Sequence, residues 1–397
     1  MIYLTILVLL MFLSFRYDIC GKKDNKEQWY LIVLCIFILL AGLRWRVGGD
    51  TIHYLYDFYY EYPSLVDFSF KEYYIGRDPF YVLLNSFVKS IGGRFYMVQL
   101  IQAAFVNILI LKYFKKHSQY VFTCCMFYFL LSYVSFSMEI MRASFSIVIC
   151  LYAFDYFIEK KWIKGYALLF IAVMFHTQTL GVLLFPAFLF LRLNKKGLLI
   201  LIGAYILGIF FQKLLGDYIF LFEGNESLED KFSTYTSEGA VFGENTRNIN
   251  YFIIKILPNV FYPLFSLWYI KKYCKSMKTN LKQLEPFIML GVVFVLIQIH
   301  FLIAYRFVDY FLIFFAIFYA DTYIDIISKR KIGLSIAYLK TMVFFSPVML
   351  YLVYSISFKE PIYIYSSVID KTISKKKETK LKEMWVYTYY APNYNEY

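Results

Sequence analysis

Charged side chains are scarce in this sequence, and their scarcity settles the broad class of protein first. Only 17% of the 397 residues are Asp, Glu, Lys or Arg, whereas 60% are hydrophobic and 22% are aromatic. A soluble domain of this composition would expose a large apolar surface to water, so soluble classes are excluded. Apolar runs long enough to cross a bilayer, about 20 residues each, recur along the chain. The sequence therefore predicts one all-α, polytopic integral membrane protein.

Cysteine is also rare, and its spacing excludes two further kinds of site. The six cysteines show neither the paired spacing of a zinc site nor the pattern of a disulfide scaffold. The sequence has no P-loop and no glycine-rich phosphate loop after a strand, so we expect no nucleotide site and no cofactor. The acidic residues of the predicted outer loops form no DxD motif. We therefore expect a reaction that does not depend on a metal.

The net charge of +13 comes from short Lys/Arg clusters between the apolar runs. No basic stripe with interleaved aromatic residues is present, so we interpret the clusters as topology signals and expect no nucleic-acid partner. With every cluster in the cytoplasm, the chain crosses the plasma (inner) membrane about twelve times, with both termini outside. The predicted spans are roughly 2–16, 29–43, 95–112, 119–137, 140–158, 162–175, 177–192, 197–215, 250–270, 286–303, 306–325 and 336–357.

These spans belong to a single predicted transmembrane domain, residues 1–358, followed by a polar tail, residues 359–397, which we expect outside. Two larger outer loops result, at about 44–94 and 216–249. The stretch from Asp78 to Ile91 is too short and too amphipathic for a span. We predict that it forms a helix lying on the outer face.

A charged side chain in a membrane-spanning helix is unfavourable, by about 2.5–3.5 kcal/mol at the centre of the helix. Charged residues in or beside the predicted spans therefore require a structural or functional explanation. Five such residues lie at similar depth near the predicted outer boundary: Arg44, Arg46, Arg142, His176 and Arg306. A bundle of helices could bring them to one cavity that opens outward. Guanidinium groups in such a cavity suit a phosphate or pyrophosphate group linked to a lipid.

Each of these residues also has a purely structural explanation. Arg142 follows Glu139 by three residues, and Asp309 follows Arg306 by the same spacing, so each arginine could form an ion pair within its helix. His176, between two predicted helices, could be a structural group at a turn. The two interpretations stay open at this stage.

The stretch Gly48-Gly49-Asp50 predicts a turn that opens a short helix, "TIHYLYDFYY". Its free backbone N–H groups could add to an anion site, and Asp50 could be a helix cap or a general base. The same loop is dense in tyrosine. Tyrosine suits both the membrane interface and contact with sugar rings.

Four landmarks in order resemble the EpsG family of Wzy-type polysaccharide polymerases. They are "LRWRVGGDTIHYLYDFY", "EIMRASFSIVICLYAFDYFIEKK", "AVMFHTQTLGVLLF" and "AYRFVDYF", and their spacing covers roughly residues 29 to 320. The family usually has Gln after the arginine of the second landmark, whereas Ala143 follows Arg142 here. No role is therefore assigned to that neighbour.

The resemblance implies a GT-C-like or Wzy-like bundle and a membrane glycosyltransferase. Such an enzyme transfers a growing glycan from undecaprenyl pyrophosphate to a lipid-linked repeat unit at the outer face, beside flippase and chain-length regulator partners. Arg44, Arg46, Arg142 and Arg306 would bind the pyrophosphate. His176 or Asp50 would act as the general base, with a slight preference for His176.

Three alternatives use related chemistry. A ligase would move the finished glycan from the same donor, and a flippase or transporter of lipid-linked sugars would carry cations on both sides of the midplane. An acyltransferase would need an acid–histidine pair, which the sequence alone does not identify.

Overall fold

The computed structural model describes residues 2–70, 72, 78–218, 252–273, 279–328 and 365–369. Among these residues the chain is helical and contains no strand apart from one isolated bridge, between Arg44 and Ser367. The all-α prediction is therefore confirmed. The chain divides into two compact units, residues 1–186 with 352–397 and residues 187–351.

The first unit contains eight α-helices among its described residues. They are α1 (Ile2–Leu13), α2 (Lys26–Gly42), α3 (Thr51–Tyr56), α4 (Pro79–Ser90), α5 (Phe95–His117), α6 (Val121–Tyr128), α7 (Met141–Ile158) and α8 (Trp162–Phe175). Wider π-helical turns extend several of them, at Ser14–Ile19, Asp57–Glu61, Phe129–Tyr133 and Ser135–Glu139. A 3₁₀ helix, Thr177–Phe188, follows α8.

The packing of this unit brings three helix ends together. Helix α7 forms an antiparallel hairpin with α8, and α5 packs against both α2 and α7. Helix α4 packs against α5 and α8. The first residues of α4 and α7 and the last residues of α8 consequently lie at the same end of the unit.

A buried carboxylate marks the other end of the same helices. Asp155, near the end of α7, accepts hydrogen bonds from the Tyr113 hydroxyl at 3.0 Å and from Lys116 at 2.7 Å, and contacts His117 at 3.1 Å. Two of the lysine clusters predicted to face the cytoplasm lie at this end, in the last turns of α5 and around the turn between α7 and α8. The helix dipole stabilises cations at a helix C-terminus. The dipole and the positive-inside rule therefore both favour lysines at this end of the helices.

The second unit contains five α-helices among its described residues. They are α9 (Lys195–Tyr218), α10 (Tyr262–Tyr273), α11 (Thr279–Gln298), α12 (Tyr305–Val308) and α13 (Leu312–Ser328). A π-helical segment, Phe252–Phe261, precedes α10. The buried Glu285 contacts Lys271 at 2.8 Å and Arg192 at 3.9 Å, and it accepts a hydrogen bond from the Leu193 N–H.

Eleven of the twelve predicted spans coincide with helical segments, and the last, 336–357, lies outside the described residues. Within the described part of the chain, five helices are long and apolar enough to cross a membrane: Ile2–Ile19, Phe95–His117, Met141–Ile158, Lys195–Lys213 and Tyr305–Ser328. The membrane character of the chain is thus supported, whereas the number of crossings stays a prediction. The amphipathic stretch after Asp78 forms a helix of 12 residues, as expected.

Most of the second predicted loop, residues 219–251, lies outside the described residues, as does nearly all of the tail. The first predicted loop contains α3 and α4. Much of this loop is buried: Tyr54, Phe58 and Val88 belong to an apolar core together with Phe95 and Phe145 of the long helices. This loop therefore packs on the bundle, and that packing positions the candidate site.

Candidate functional site

Asp78 joins the three helix ends described above, and the sequence analysis did not single out its carboxylate. Its Oδ1 accepts hydrogen bonds from the Thr177 backbone N–H at 2.8 Å and from the Thr177 hydroxyl at 2.9 Å. Its Oδ2 lies 3.1 Å from Nη1 of Arg142 and 3.7 Å from Nδ1 of His176. One buried carboxylate thus binds α7 and the segment after α8 to the start of α4.

Arg142 pairs with Asp78, which lies 64 residues earlier in the chain. The Glu139 carboxylate, the partner considered from the sequence, accepts a hydrogen bond from the Gly49 N–H at 3.2 Å. The Arg142 guanidinium also lies 5.5 Å from the centre of the Tyr54 ring. Its side chain remains 39% exposed, so part of its donor fork can reach a ligand.

His176 lies between α8 and the 3₁₀ helix, as predicted, in an extended backbone conformation. Its two ring nitrogens face different groups. Nδ1 lies 3.7 Å from Oδ2 of Asp78, longer than a hydrogen bond, and Nε2 lies 3.1 Å from Oε1, the side-chain amide oxygen of Gln178. The ring is therefore held between an acid and an amide, an arrangement that controls which nitrogen carries the proton.

The pKa values of the two acids beside Arg142 are shifted in opposite directions. Burial by itself raises the pKa of the Asp78 carboxyl, but His176, Arg142 and the Thr177 N–H more than offset this and hold the pKa below its ordinary value. Burial raises the pKa of Asp57, although the charge of Arg142 opposes the effect. Asp78 is consequently an anion at neutral pH, and the stability from its ion pairs is lost only as the pH falls through its lowered pKa.

Three tyrosines of the first loop pack beside Arg142 and are not free for ligands. Tyr54, Tyr62 and Tyr81 are at most 9% exposed, and the ring of Tyr81 contacts the other two edge-on. We name this group the tyrosine cluster. The expectation that these side chains face sugar or the membrane surface is wrong for all three. Tyr60 is 51% exposed, so contact with sugar or with the membrane surface stays a prediction for this residue.

The turn at Gly48-Gly49 is shaped by contact with another segment. Gly48 has φ +100°, and a Cβ there would lie 2.6 Å from the Met138 carbonyl oxygen. The Thr51 hydroxyl donates to that same oxygen. One of the N–H groups expected to bind an anion is therefore already bound to Glu139, which supplies the negative charge from within the protein.

Asp50 stands at the N-cap position of α3, as predicted, but its side chain makes no capping hydrogen bond. It is exposed to solvent. The structure thus leaves the carboxylate of Asp50 accessible, which is compatible with the alternative role of a base.

Arg44 and Arg46 differ sharply in exposure. Arg44 is 1% exposed, and its Nη1 donates to the Ala41 carbonyl. Burial lowers its pKa to about 10, so it stays cationic at neutral pH. Arg46 is partly exposed, with its guanidinium 5.4 Å from the centre of the Trp45 ring and its backbone at φ +48°.

The chain around Arg44 pairs with a segment from the C-terminal tail. The Trp45 N–H donates to the Ser366 carbonyl at 2.8 Å, and the Val368 N–H donates to the Leu43 carbonyl at 2.8 Å. This antiparallel pairing places residues 365–369 beside the exit of α2. The sequence offered no signal for it, since the pairing joins residues more than 300 positions apart.

Arg306 belongs to the second unit, where it lies in α12 with its guanidinium 5.8 Å from the centre of the Tyr305 ring. The first unit therefore brings together Arg142 and His176 through Asp78, with Arg44, Arg46 and Asp50 on the neighbouring turn. The role of Arg306 stays a prediction from the sequence.

Asp78 had a signal that sequence reasoning could have used. It directly precedes Pro79, the first residue of α4, and Asp before a proline at that position is typical of a helix start. An acid at the start of an amphipathic helix is a natural partner for one of the arginines of the candidate site. The described residues contain no group of three or more His, Cys, Asp or Glu side chains arranged to hold a metal.

Comparison with known protein families finds one match, the EpsG family, whose model covers residues 28–367. This span includes all four landmarks and every candidate site residue. No curated protein and no solved structure matches the chain.

Proposed function

Because the chain belongs to the EpsG family, we propose that it polymerises lipid-linked oligosaccharide repeat units into a capsular, exo- or O-antigen polysaccharide at the outer face of the plasma membrane. Membership of the family supports a polysaccharide polymerase-type role for a membrane protein. The undecaprenyl pyrophosphate carrier and the glycosyl transfer step belong to the proposal.

The observation that carries the proposal is the state of Arg142. One edge of its guanidinium is held by Asp78, and its side chain is 39% exposed at the end of the unit opposite the lysine clusters. A cation that is fixed before the substrate arrives stabilises charge on a leaving group without reorganising. A pyrophosphate is the leaving group that demands this most, because its charge grows as the glycosidic bond breaks.

The other candidate residues take roles that match their exposure. Arg46, partly exposed, is proposed to contact pyrophosphate directly, and the same role is proposed for Arg306 from the sequence alone. Arg44 is buried, so it contributes positive charge to the site rather than a direct contact. His176 is the proposed general base, and Asp50 is the alternative.

The contact between Asp78 and His176 also bears on one competing function. An acyltransferase needs an acid–histidine pair, and the structure shows one that the sequence did not reveal. The same acid, however, binds Arg142, and an acyl group carries no charge for an arginine to recognise. A polymerase function therefore explains more of the site's residues than an acyltransferase function does.

Analysis of a deletion strain distinguishes these functions. We expect single lipid-linked repeat units, exported to the outer face, to accumulate in place of polymer. Precursors retained inside the cell would indicate a transporter. Full-length chains that lack attachment would indicate a ligase, and full-length chains that lack acyl groups would indicate an acyltransferase.

Substitution of Arg142 tests the site. We expect Arg142→Ala to reduce polymer by about a hundredfold or more at a normal protein level, because loss of one preorganised donor typically costs this much. Arg142→Lys should restore little, since an ammonium group lacks the planar fork. Polymer can be measured by immunoblot or by gel analysis of the surface glycan.

Arg192 provides a matched control. Its side chain is 40% exposed and lies beside a buried acid, Glu285, as Arg142 lies beside Asp78, but it belongs to a lysine-bearing loop. Arg192→Ala should leave polymer synthesis nearly intact. Equal effects of the two alanine variants would mean that Arg142 acts only through the fold.

A further inference from the structure

Asp78 holds Arg142 in the function proposed above, and its contacts with His176 and Thr177 point to a second role. It is 5% exposed and contacts three groups from two other segments. Its backbone is left-handed, at φ +52°, a conformation that non-glycine residues adopt only where their surroundings impose it.

The contacts orient the carboxylate with respect to His176. The backbone N–H and hydroxyl of Thr177, the next residue after His176, both bind Oδ1. These two bonds fix the plane of the carboxylate against the peptide that carries the imidazole. The remaining oxygen, Oδ2, then faces Nδ1 at 3.7 Å, a separation that can shorten to a hydrogen bond when substrate binds.

We propose that Asp78 is a positioning residue for proton transfer by His176, an inference that rests on the proposed polymerase function. Asp78 accepts the Nδ1–H proton as a hydrogen bond once the separation of Nδ1 and Oδ2, 3.7 Å in this structure, has shortened, and it thereby keeps that proton on Nδ1. Nε2 is thereby left with its lone pair, and it is the atom that takes the proton of the acceptor hydroxyl. Nε2 lies 3.1 Å from Oε1 of Gln178, an acceptor, so for Nε2 to keep its lone pair the Gln178 amide turns over and its NH2 group faces Nε2 until the hydroxyl binds.

The step balances in atoms and charge. The acceptor oxygen forms a bond to the anomeric carbon of the donor glycan, and the bond between that carbon and the lipid pyrophosphate breaks. The leaving group keeps the electron pair, and the hydroxyl proton moves to Nε2 of His176. The negative charge of Asp78 stabilises the imidazolium that forms. Arg142 stabilises the negative charge of the leaving pyrophosphate.

Other charged groups near the site do not replace Asp78 in this role. Arg142 is the charged group that faces Asp78 from α7, and it competes for the same oxygen. Asp57 and Tyr62 interact with Arg142 from the first loop, and Asp57 and Tyr62 also bond to each other at 3.3 Å. Asp50 is exposed and lies on the neighbouring turn.

The test uses Asp78→Asn in purified, membrane-reconstituted protein, with lipid-linked single repeat units extracted from the deletion strain as the probe. Asn tolerates the left-handed backbone and keeps an acceptor for Thr177, so the substitution removes mainly the charge. We expect kcat to fall about tenfold to a hundredfold with KM changed little, and the acidic limb of the pH–rate profile to move to lower pH. The shift follows because the imidazolium loses its stabilising anion.

Two variants serve as controls. Thr177→Val removes one hydrogen bond to Asp78 but keeps the charge, so it should leave the position of the acidic limb unchanged. His176→Gln should abolish that limb, and adding Asp78→Asn to it should cause little further loss in kcat. An unshifted limb in Asp78→Asn, or a wild-type limb in His176→Gln, would overturn the inference.

A measurement on the unaltered protein tests the inference even where a variant fails to fold. The chain has four histidines, so ¹⁵N-histidine NMR resolves them, with His176→Gln or a mild variant of its neighbours for assignment. We expect neutral His176 to carry its proton on Nδ1; a proton on Nε2 would contradict the proposal. Failure of the wild-type protein to elongate the extracted repeat units would instead reject the proposed function.

Discussion

Arg46 and Asp78 both hold backbone conformations that their side chains disfavour. Their φ angles are +48° and +52°, and the other non-glycine residues with positive φ in the described part of the chain are Asn25 and Lys160, in the turns at the lysine-bearing end. A left-handed residue with a Cβ costs about 1–2 kcal/mol. Asp tolerates this conformation better than Arg, so strain at Arg46 is the greater of the two and marks a residue selected for its side chain.

We expect Arg46→Gly to reduce polymer strongly while leaving the thermal stability of the purified protein within about 1 kcal/mol. Glycine relieves the backbone strain, and this gain offsets loss of the contact between the guanidinium and Trp45. Arg46→Ala keeps the strain and should be less stable than Arg46→Gly by about 1 kcal/mol. Thermal unfolding in detergent measures the stability, and the surface glycan measures the function.

Lys160, at φ +59°, is the matched control because it shares the strain but lies at the opposite end of α7. Lys160→Gly should stabilise the protein slightly and leave polymer synthesis unchanged. If Arg46→Gly and Lys160→Gly behave alike in both assays, the side chain of Arg46 has no part in the reaction.

At the scale of elements, the irregular segment from Phe129 to Glu139 shapes the site. Two π-helical turns there displace the backbone from the regular ladder of an α-helix, and side chains of α5 satisfy the displaced groups. Gln102 donates to the Phe136 carbonyl and to the Ser144 hydroxyl, both at 2.8 Å. The end of this segment carries the carbonyl and carboxylate that contact the Gly48-Gly49 turn.

Gln102→Met should destabilise the protein by about 1–2 kcal/mol, because it leaves a carbonyl without its donor inside an apolar bundle. Ser144→Ala removes the second acceptor of Gln102 but keeps the bond to Phe136, so it should cost less. Thermal unfolding of the two variants compares them. Equal losses would show that the irregular backbone is satisfied without Gln102.

At the scale of the whole molecule, the first unit has two chemically distinct ends. Buried Asp155 and the lysines lie at one end, and Asp78, Arg142 and His176 lie at the other. The pairing of residues 43–45 with 366–368 adds a constraint, because paired backbones lie on the same side of a membrane. The number of crossings between them must therefore be even, as the predicted topology requires.

A cysteine at Ile369, which is 47% exposed, should react with a membrane-impermeant maleimide in intact cells or spheroplasts. Lys161→Cys, in the turn between α7 and α8, should react only after permeabilisation. The unaltered protein controls for labelling of its own cysteines. Labelling of Ile369→Cys only after permeabilisation would place the tail, Arg44 and the candidate site in the cytoplasm, against the proposed function.

Helices and their ends followed largely from the sequence. Apolar runs of sufficient length, closed by lysines, identified α5, α7 and α8 within a few residues, because a backbone in lipid must satisfy its own hydrogen bonds. The same reasoning could not see the π-helical turns or the 3₁₀ helix after His176. Those depend on side chains of neighbouring helices, which hydropathy does not report.

The sequence by itself determined that the chain is a helical membrane protein, that Arg142 and His176 lie at one end of their helices, and that the four landmarks follow the order of the EpsG family. Only the tertiary structure decided the partners. Arg142 pairs with Asp78, 64 residues earlier in the chain, Arg44 is buried, and the tail pairs with the exit of α2. The reason is physical: periodicity specifies which face and which end a residue occupies, whereas an ion pair depends on how separate helices pack.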